Sequence, residues 1–214
     1  TRELSAERNY WKKFYIKFTD YLYNDLGLYD NYVGNNMKIL RAFFNYLNNE
    51  QGLRVGSFHK NFYVRNEEIP IVVLSPEQLN FLIYDKSFEE SLSNRLQRTK
   101  DIFVFGCTVA LRVSDLLSLS GSNLEIAEGK YYLNVISKKT QTPTRIKLPD
   151  YAIEIIQKYH RSRHKNLLPV ISNYNLNKNL KLLAETAGWT TQVAKTRGRR
   201  GISISLDKTS KIDK

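Results

Sequence analysis

Apolar side chains recur at helical spacing twice near the start of the chain. One stripe consists of Trp11, Phe14, Phe18 and Leu22, and the other of Met37, Leu40, Phe44 and Leu47. Spacings of three and four residues place such side chains on one face of an α-helix. Gly27 and Gly34 fall between the stripes, where a turn is expected. Residues 5–52 are therefore predicted to form two amphipathic helices.

The periodicity disappears after these helices. Residues 53–74 show no regular spacing and end in the apolar run 69–73, which is typical of extended chain. We therefore predict a small helical domain over residues 1–64 and a linker over 65–74. A second domain is expected over residues 75–214.

The second domain begins with a clear helix signal and contains a short β-rich stretch. Ser75-Pro76-Glu77-Gln78 combines an N-cap serine, a proline at the first helical position and a capping-box glutamine. An apolar helix is predicted from Arg98 to Leu111 or beyond. Alternating runs separated by turn residues then predict three antiparallel strands. The predicted strands are Leu124–Ala127, Tyr131–Ser137 and Thr144–Leu148.

Two more helices complete the predicted fold. One begins at Asp150, and the other covers Leu176–Ala187 and ends at Gly188, a common C-cap residue. The fold class is therefore mainly α with a small antiparallel three-stranded sheet.

Charge changes this picture by indicating a partner. The net charge is +12, and residues 158–214 carry 13 basic and 3 acidic side chains. A local excess of this size favours a polyanion, and nucleic acid before a membrane surface. A basic surface that merely keeps the protein soluble is the alternative. A single cysteine excludes a disulfide scaffold and a zinc ribbon. The lack of an apolar run of about 18 residues gives no membrane span, and a cytoplasmic protein is expected.

Arg112 is the first candidate for chemistry. Phe105, Val109, Arg112 and Leu116 are spaced four, three and four residues apart, so a continuous helix would bury the guanidinium in an apolar stripe. An unpaired buried charge costs several kcal/mol, so an acid or an anionic ligand must meet it. Asp115 lies three residues on and could form a purely structural pair with Arg112.

The turn between the second and third strands is the second candidate. Its residues Lys138 and Lys139, with Arg145 and Lys147 on the returning strand, could lie over a phosphate backbone or supply a proton donor. An edge strand protected from aggregation by cations is equally compatible with the pattern.

Further basic residues lie nearer the C-terminus. Arg197, Arg199 and Arg200 suggest phosphate contacts or a mobile loop. His160 and His164 are spaced as a metal pair, but no third ligand lies nearby, and a basic helix end is the better interpretation. No metal or cofactor is expected.

The run from Thr108 to Leu119 resembles the first-arginine box of the tyrosine recombinases, the phage integrase family. The following strands with Lys139-Thr140 resemble that family's lysine hairpin. The similarity covers about residues 5–200 and is greatest to integrases of Bacteroides-type mobile elements. It implies a helical core-binding domain and the first part of an α+β catalytic domain.

The resemblance also implies a reaction and a partner. Members of the family cut double-stranded DNA with a tyrosine, form a 3′-phosphotyrosyl link, and act as a synaptic tetramer without a cofactor. Arg112 would bind the scissile phosphate, Lys139 would protonate the leaving 5′-oxygen, and Asp115 would support Arg112. Lys138 is an alternative to Lys139.

The chain also departs from the family. Ala110 stands where the family usually has glycine. His160 and Arg163 spell the His-x-x-Arg box, but they follow Lys139 too closely, and no suitably distant tyrosine comes after them. We therefore expect a DNA-binding fragment that lacks the nucleophile. The alternatives are a non-catalytic DNA-binding regulator, a type IB topoisomerase, and a helical interaction domain with an incidental basic surface.

Overall fold

The structure, a computed structural model, describes residues 2–69, 71–160, 166–191 and 195–206. These residues form two compact units. We call residues 2–69, 71–72 and 195–206 the helical unit, and residues 73–160 and 166–191 the mixed unit.

The predicted helix pair forms the body of the helical unit. Helix α1 (Arg2–Asp20) continues into a π-helical turn (Tyr21–Asp25), and helix α2 covers Asp30–Asn49. Helix α2 starts before Gly34, so the turn between the helices is shorter than predicted. A 3₁₀ turn at Phe58–Asn61 then packs against the pair, with the ring of Phe58 stacked 3.8 Å from that of Trp11.

A β-hairpin that the sequence analysis missed completes the helical unit. Strands β4 (Lys195–Arg199) and β5 (Ile202–Leu206) are antiparallel. Residues 195–201 were expected to be a phosphate contact or a mobile loop, and the loop interpretation is wrong. Arg200 and Gly201 both have positive φ, 55° and 83°. These angles are typical of the two-residue turn that connects the strands of a β-hairpin.

Six helices belong to the mixed unit, and the predicted capping box begins the first of them. Ser75 Oγ accepts a hydrogen bond from the backbone N–H of Gln78 at 3.2 Å, and Gln78 Oε1 accepts one from the N–H of Ser75 at 2.9 Å. The helices are α3 (Pro76–Tyr84), α4 (Lys86–Ser91), α5 (Asn94–Val109), α6 (Val113–Leu116), α7 (Asp150–His160) and α8 (Asn173–Thr186).

The predicted three-stranded sheet lies between α6 and α7 in the chain. Its strands are β1 (Leu124–Ala127), β2 (Lys130–Ile136) and β3 (Pro143–Lys147), within about one residue of the predicted bounds. Leu133 of β2 is fully buried and pairs with Leu124 and Ile146. It belongs to the same apolar core as Phe105 and Ala152, so the sheet packs on the helices. The mainly α fold class with a small antiparallel sheet is confirmed.

Four charges, of which Lys158 is partly exposed, also stabilise the mixed unit. Glu89, Lys100, Asp101 and Lys158, which we call the Asp101 network, come from α4, α5 and α7. Lys100 Nζ lies 2.9 Å from Glu89 and 3.3 Å from Asp101, and Lys158 Nζ lies 2.6 and 2.8 Å from the same two carboxylates. Each cation thus contacts both anions, and the network ties the three helices together.

In the part of the chain that the structure describes, every helix is too short or too polar to cross a bilayer.

Candidate nucleic-acid interface

Arg112 lies just after a helix rather than inside one. Helix α5 ends at Val109 because Ala110 adopts a left-handed conformation with φ of 51°. Arg112 then has extended backbone angles and forms the N-cap of α6. The predicted continuous stripe is therefore wrong, and the Arg112 side chain is exposed rather than buried.

Ala110 explains why glycine is usual at this position in the family that the sequence resembles. A left-handed alanine costs about 1 kcal/mol relative to glycine, which reaches positive φ freely. The neighbouring Gly106 lets α6 pack closely on α5, since a Cβ there would lie 2.9 Å from Leu116. The sharp turn that presents Arg112 therefore depends on the small residues Gly106 and Ala110.

Hydrogen bonds connect Arg112 to the base of the lysine-bearing turn. Arg112 Nη1 donates to Ser137 Oγ at 2.6 Å. The backbone N–H of Lys138 donates to Asp115 Oδ1, and Lys138 Nζ donates to the carbonyl of Ser114, both at 3.4 Å and therefore weakly. The chain around α6 thus meets the β2–β3 turn.

Asp115 is buried but does not pair with Arg112. Its exposed fraction is 3%, and no ion pair joins the two side chains, so the predicted structural pair is absent. Oδ2 of Asp115 is buried and meets no hydrogen-bond donor among the described residues. The Asp115 carboxylate therefore contacts the backbone of the lysine turn and does not contact Arg112 directly.

Three cations at this place have no acidic partner. Arg112, Lys138 and Lys139, which we call the Arg112 group, are all exposed. None of the carboxylates in the described ranges forms an ion pair with any of them. Since nearby anions do not neutralise these charges, the group is available to an anionic ligand.

The two basic residues on β3 differ from each other. Arg145 donates to both oxygens of Glu125, at 3.0 and 3.1 Å, and its guanidinium stacks 3.7 Å from the Tyr132 ring centroid. The hydrogen bonds from Arg145 lower the pKa of Glu125. Lys147 is exposed and pairs with Tyr132 across the strands. Arg145 is therefore occupied within the protein, whereas Lys147 faces solvent.

A cleft lies beside the lysine-bearing turn. Its volume is about 640 Å³, and its lining includes Asp115, Asn123, Asn134, Lys138 and Arg145. The cleft lies in the mixed unit between the α6 region and strands β2 and β3. Apolar side chains such as Leu119 and Val135 line it together with these cations and amide groups.

The C-terminal arginines are not grouped with these residues. Arg197, Arg199 and Arg200 belong to the β4–β5 hairpin of the helical unit, where Arg199 donates to the carbonyl of Tyr23 and Arg200 pairs with Asp20. They were expected to contact phosphate or to lie in a mobile loop, whereas Arg199 and Arg200 have partners within the protein.

The histidine candidates lie at the edge of the described chain. His160 ends α7, while Arg163 and His164 lie outside the described residues. Within those residues no group of three or more potential metal ligands occurs.

Sequence reasoning missed the role of Ser137. The serine directly precedes the two lysines, and a hydroxyl at a strand end can reach a neighbouring segment. Its contact with Arg112 could not be inferred, because it depends on how the sheet and α6 pack together.

Comparison with known proteins supports the resemblance at the level of the fold. No protein-family model and no curated protein matches the chain. XerH site-specific recombinase bound to palindromic difH substrate, a post-cleavage complex, matches with a TM-score of 0.60 and 15% identity over 84% of this chain. A lambda integrase tetramer bound to a Holliday junction matches with a TM-score of 0.52 and 17% identity over 79%.

The chain spans 57% of the XerH chain and 51% of the lambda integrase chain. Sequence identities this low establish architecture rather than activity. The chain has the fold of the tyrosine recombinases.

Proposed function

We propose that this chain is the DNA-binding part of a tyrosine-type site-specific recombinase from a mobile element. The observation that carries the proposal is the Arg112 group at the junction of α6 and the β2–β3 turn. Its three cations are exposed and have no acidic partner among the described residues. The recombinase fold and the excess positive charge of the chain support it. Residues 1–64 act as the core-binding domain, 65–74 as the linker, and 75–214 as the first part of the catalytic domain.

The geometry suits phosphate activation by Arg112. A guanidinium presents parallel N–H donors that match two phosphate oxygens, and Ser137 fixes its orientation through one Nη. Donors held in place before the reaction stabilise the charge that develops in a phosphoryl-transfer transition state. Arg112 would bind the scissile phosphate and stabilise its pentavalent transition state.

The lysine turn suits proton donation to the leaving group. When the nucleophilic tyrosine attacks phosphorus, the bond from phosphorus to the 5′-oxygen breaks, and that oxygen needs a proton. Lys139 is our first candidate for the donor, because its ammonium is exposed and forms no ion pair in the described chain. Lys138 is the alternative, with its Nζ directed to the Ser114 carbonyl. The Lys147 side chain adds a contact to the phosphate backbone of DNA.

The rest of the reaction depends on groups for which no residue of this chain is assigned. We propose that a His-x-x-Arg box and a nucleophilic tyrosine follow residue 214 in the gene, and that the complete protein forms a tetramer on DNA. Reading the gene beyond codon 214 tests this. An early stop codon there would favour the non-catalytic regulator instead.

Binding of duplex DNA tests the proposal on the chain itself. In fluorescence anisotropy, log affinity is expected to fall with log salt with a slope corresponding to several phosphates, about 5 or more. Arg112→Ala is expected to lower affinity about tenfold and to reduce the slope by about one. In the complete protein, the same change should lower cleavage of a nicked suicide substrate by roughly a hundredfold.

Lys130→Ala is the matched control, because Lys130 is an exposed lysine at the opposite end of β2. It should change affinity by less than about twofold. A flat salt response would overturn the DNA proposal, and equal effects of the Arg112 and Lys130 variants would overturn the role of Arg112.

A further inference from the structure

A buried carboxylate on the helical unit holds the turn of the basic hairpin. Asp30, at the start of α2, is 4% exposed. Its Oδ1 accepts from the Tyr23 hydroxyl at 2.6 Å and from the backbone N–H of Arg200 at 2.8 Å, and its Oδ2 accepts from the N–H of Gly201 at 2.8 Å. Three donors thus compensate the burial of this charge, and the hairpin backbone supplies two of them.

A second carboxylate holds the same hairpin at strand β4, two residues before Arg200. Glu67 Oε2 accepts from the backbone N–H of Gly198. Glu67 is itself fixed, since the Asn31 side chain accepts from its N–H at 2.8 Å and donates to its carbonyl at 3.0 Å. We call Asp20, Asp30 and Glu67 the acidic socket.

Gly198 lies directly against both carboxylates. It is buried, and a Cβ there would lie 2.6 Å from Glu67 Oε2 and 2.9 Å from Asp30 Oδ2. At these distances the two carboxylates or the hairpin would have to shift. The socket therefore recognises a backbone shape that a glycine provides, in addition to positive charge.

The arginine side chains are engaged as well. Arg200 Nη2 lies 2.6 Å from Asp20 Oδ1, and its guanidinium lies 4.8 Å from the ring centroid of Tyr23. Arg199 Nη2 donates to the carbonyl of Tyr23 at 2.5 Å. Acids from the N-terminal part of the chain thus face the most basic part of the described C-terminal segment.

We propose that the acidic socket is a docking site for the chain's own β4–β5 hairpin and that it competes with nucleic acid for the hairpin's arginines. The competition rests on the proposed DNA-binding function, whereas the docking does not. The Asp20 carboxylate and a phosphate present similar oxygen acceptors to the Arg200 guanidinium, and the Tyr23 carbonyl occupies that of Arg199. While the hairpin is docked, Arg199 and Arg200 are withheld from DNA, and non-specific binding is weaker than the net charge suggests.

Gly198→Ala tests the docking without altering a charge. The added methyl group displaces the hairpin from the socket, and hydrogen–deuterium exchange of the Arg200 and Gly201 amides should accelerate about tenfold or more, as expected for loss of hydrogen bonds to charged groups. Gly121→Ala is the matched control, since a Cβ at Gly121 meets nothing within 4 Å. Asp30→Asn provides a second variant that reduces the acceptor strength at nearly constant shape, and circular dichroism checks that each variant is folded.

Anisotropy with duplex DNA tests the competition in the same variants. Release of the hairpin should raise DNA affinity about three- to tenfold and steepen the log–log salt slope by one to two, because two arginines become available to phosphates. The Gly121 variant should match the wild type.

Each other outcome rejects a defined part of the proposal. Unchanged amide exchange in both folded socket variants would overturn the docking. Faster exchange with equal or weaker DNA binding would overturn the competition and leave the arginines as direct DNA contacts or as structural residues. If the wild type binds no DNA, the proposed function fails, and the exchange result still decides whether the socket holds the hairpin.

Discussion

The mixed unit contains two clusters of cations that look alike in the sequence and differ in the fold. In the Asp101 network, Lys100 and Lys158 each contact two carboxylates, and the Lys100 side chain is only 5% exposed. In the Arg112 group, every cation is exposed, and none forms an ion pair within the described ranges. Both clusters join separate segments of the chain.

The difference shows what a charge contributes in each setting. A buried cation needs compensating anions, and once these are present it has no capacity left for a ligand. An exposed cation held by a neutral hydroxyl, as Arg112 is by Ser137, keeps its full charge for an incoming anion. The net charge of a protein is therefore a poor guide to its partner. The cations that can bind an anionic partner are those that nearby carboxylates do not neutralise.

The largest effect is expected from breaking the buried cluster. Asp101→Asn leaves Lys100 and Lys158 with one carboxylate between them and should lower the free energy of unfolding by about 3 kcal/mol or more. Urea denaturation measures this. DNA affinity below the transition should stay within about twofold of the wild type, because the network lies apart from the Arg112 group. Glu154→Gln, at an exposed position on α7, is the control and should cost less than about 0.5 kcal/mol. An equal loss in both variants would remove the distinction between the clusters.

Acid should also weaken the Asp101 network. The expected loss in the free energy of unfolding is similar to that of Asp101→Asn or smaller. Burial raises the pKa of Glu89, but hydrogen bonds from Lys158 and Lys100 outweigh burial and bring its pKa to about 2. A carboxylate with a lowered folded-state pKa stabilises the fold fully above its unfolded pKa of about 4.5, and this stability is lost as the pH falls towards 2. The contribution is at most about 3 kcal/mol.

Urea midpoints measured between pH 5 and pH 2 test this dependence. Glu89→Gln should be less stable than the wild type at neutral pH and should show a shallower loss of stability across that window. Parallel curves for the two proteins would show that Glu89 does not cause the acid sensitivity.

The smallest effect is expected in the Arg112 group, from a change at Ser137. Ser137→Ala removes the acceptor that orients Arg112. Loss of this solvent-exposed hydrogen bond, about 1 kcal/mol, corresponds to a roughly three- to fivefold loss of DNA affinity. Ser137→Thr, which keeps the hydroxyl, should restore binding, and Thr142→Ala across the turn should have no effect.

A double-mutant cycle with Arg112→Ala identifies Ser137 as a positioning residue. If Ser137 acts through Arg112, its removal should have no further effect on DNA binding once Arg112 is absent. Additive losses would show that Ser137 affects binding independently.

Local patterns predicted most of the secondary structure. The capping box at Ser75 and the strand β1 appear as expected, because hydrogen bonds between near neighbours determine them. The end of α5 was mispredicted, because alanine is a strong helix former and nothing local announces the left-handed conformation of Ala110. The arginine and lysine segments were identified from the sequence, but their connection through Ser137 depends on packing between residues 25 positions apart.

The β4–β5 hairpin was beyond prediction for a related reason. Its basic residues favour solvent or nucleic acid when the segment is considered alone. Arg200 pairs with Asp20 and Arg199 with the carbonyl of Tyr23, both near the start of the chain, and single-sequence periodicity carries no information about such distant pairs. The charge excess of residues 158–214 therefore pointed to a nucleic-acid surface, although the structure places part of that excess against carboxylates.

The hairpin also determines the order in which the protein can be completed during synthesis. Its contacts with the helical unit join residues 131 to 180 positions apart, and the whole mixed unit lies between them in the chain. The helix pair therefore leaves the ribosome with Asp30 lacking two of its three donors, and it waits until translation has passed residue 201. Closing so long a loop is slow unless the intervening chain is already compact. Folding of the mixed unit first shortens that search, so its maturation sets the rate at which the first-made part of the protein reaches its final state.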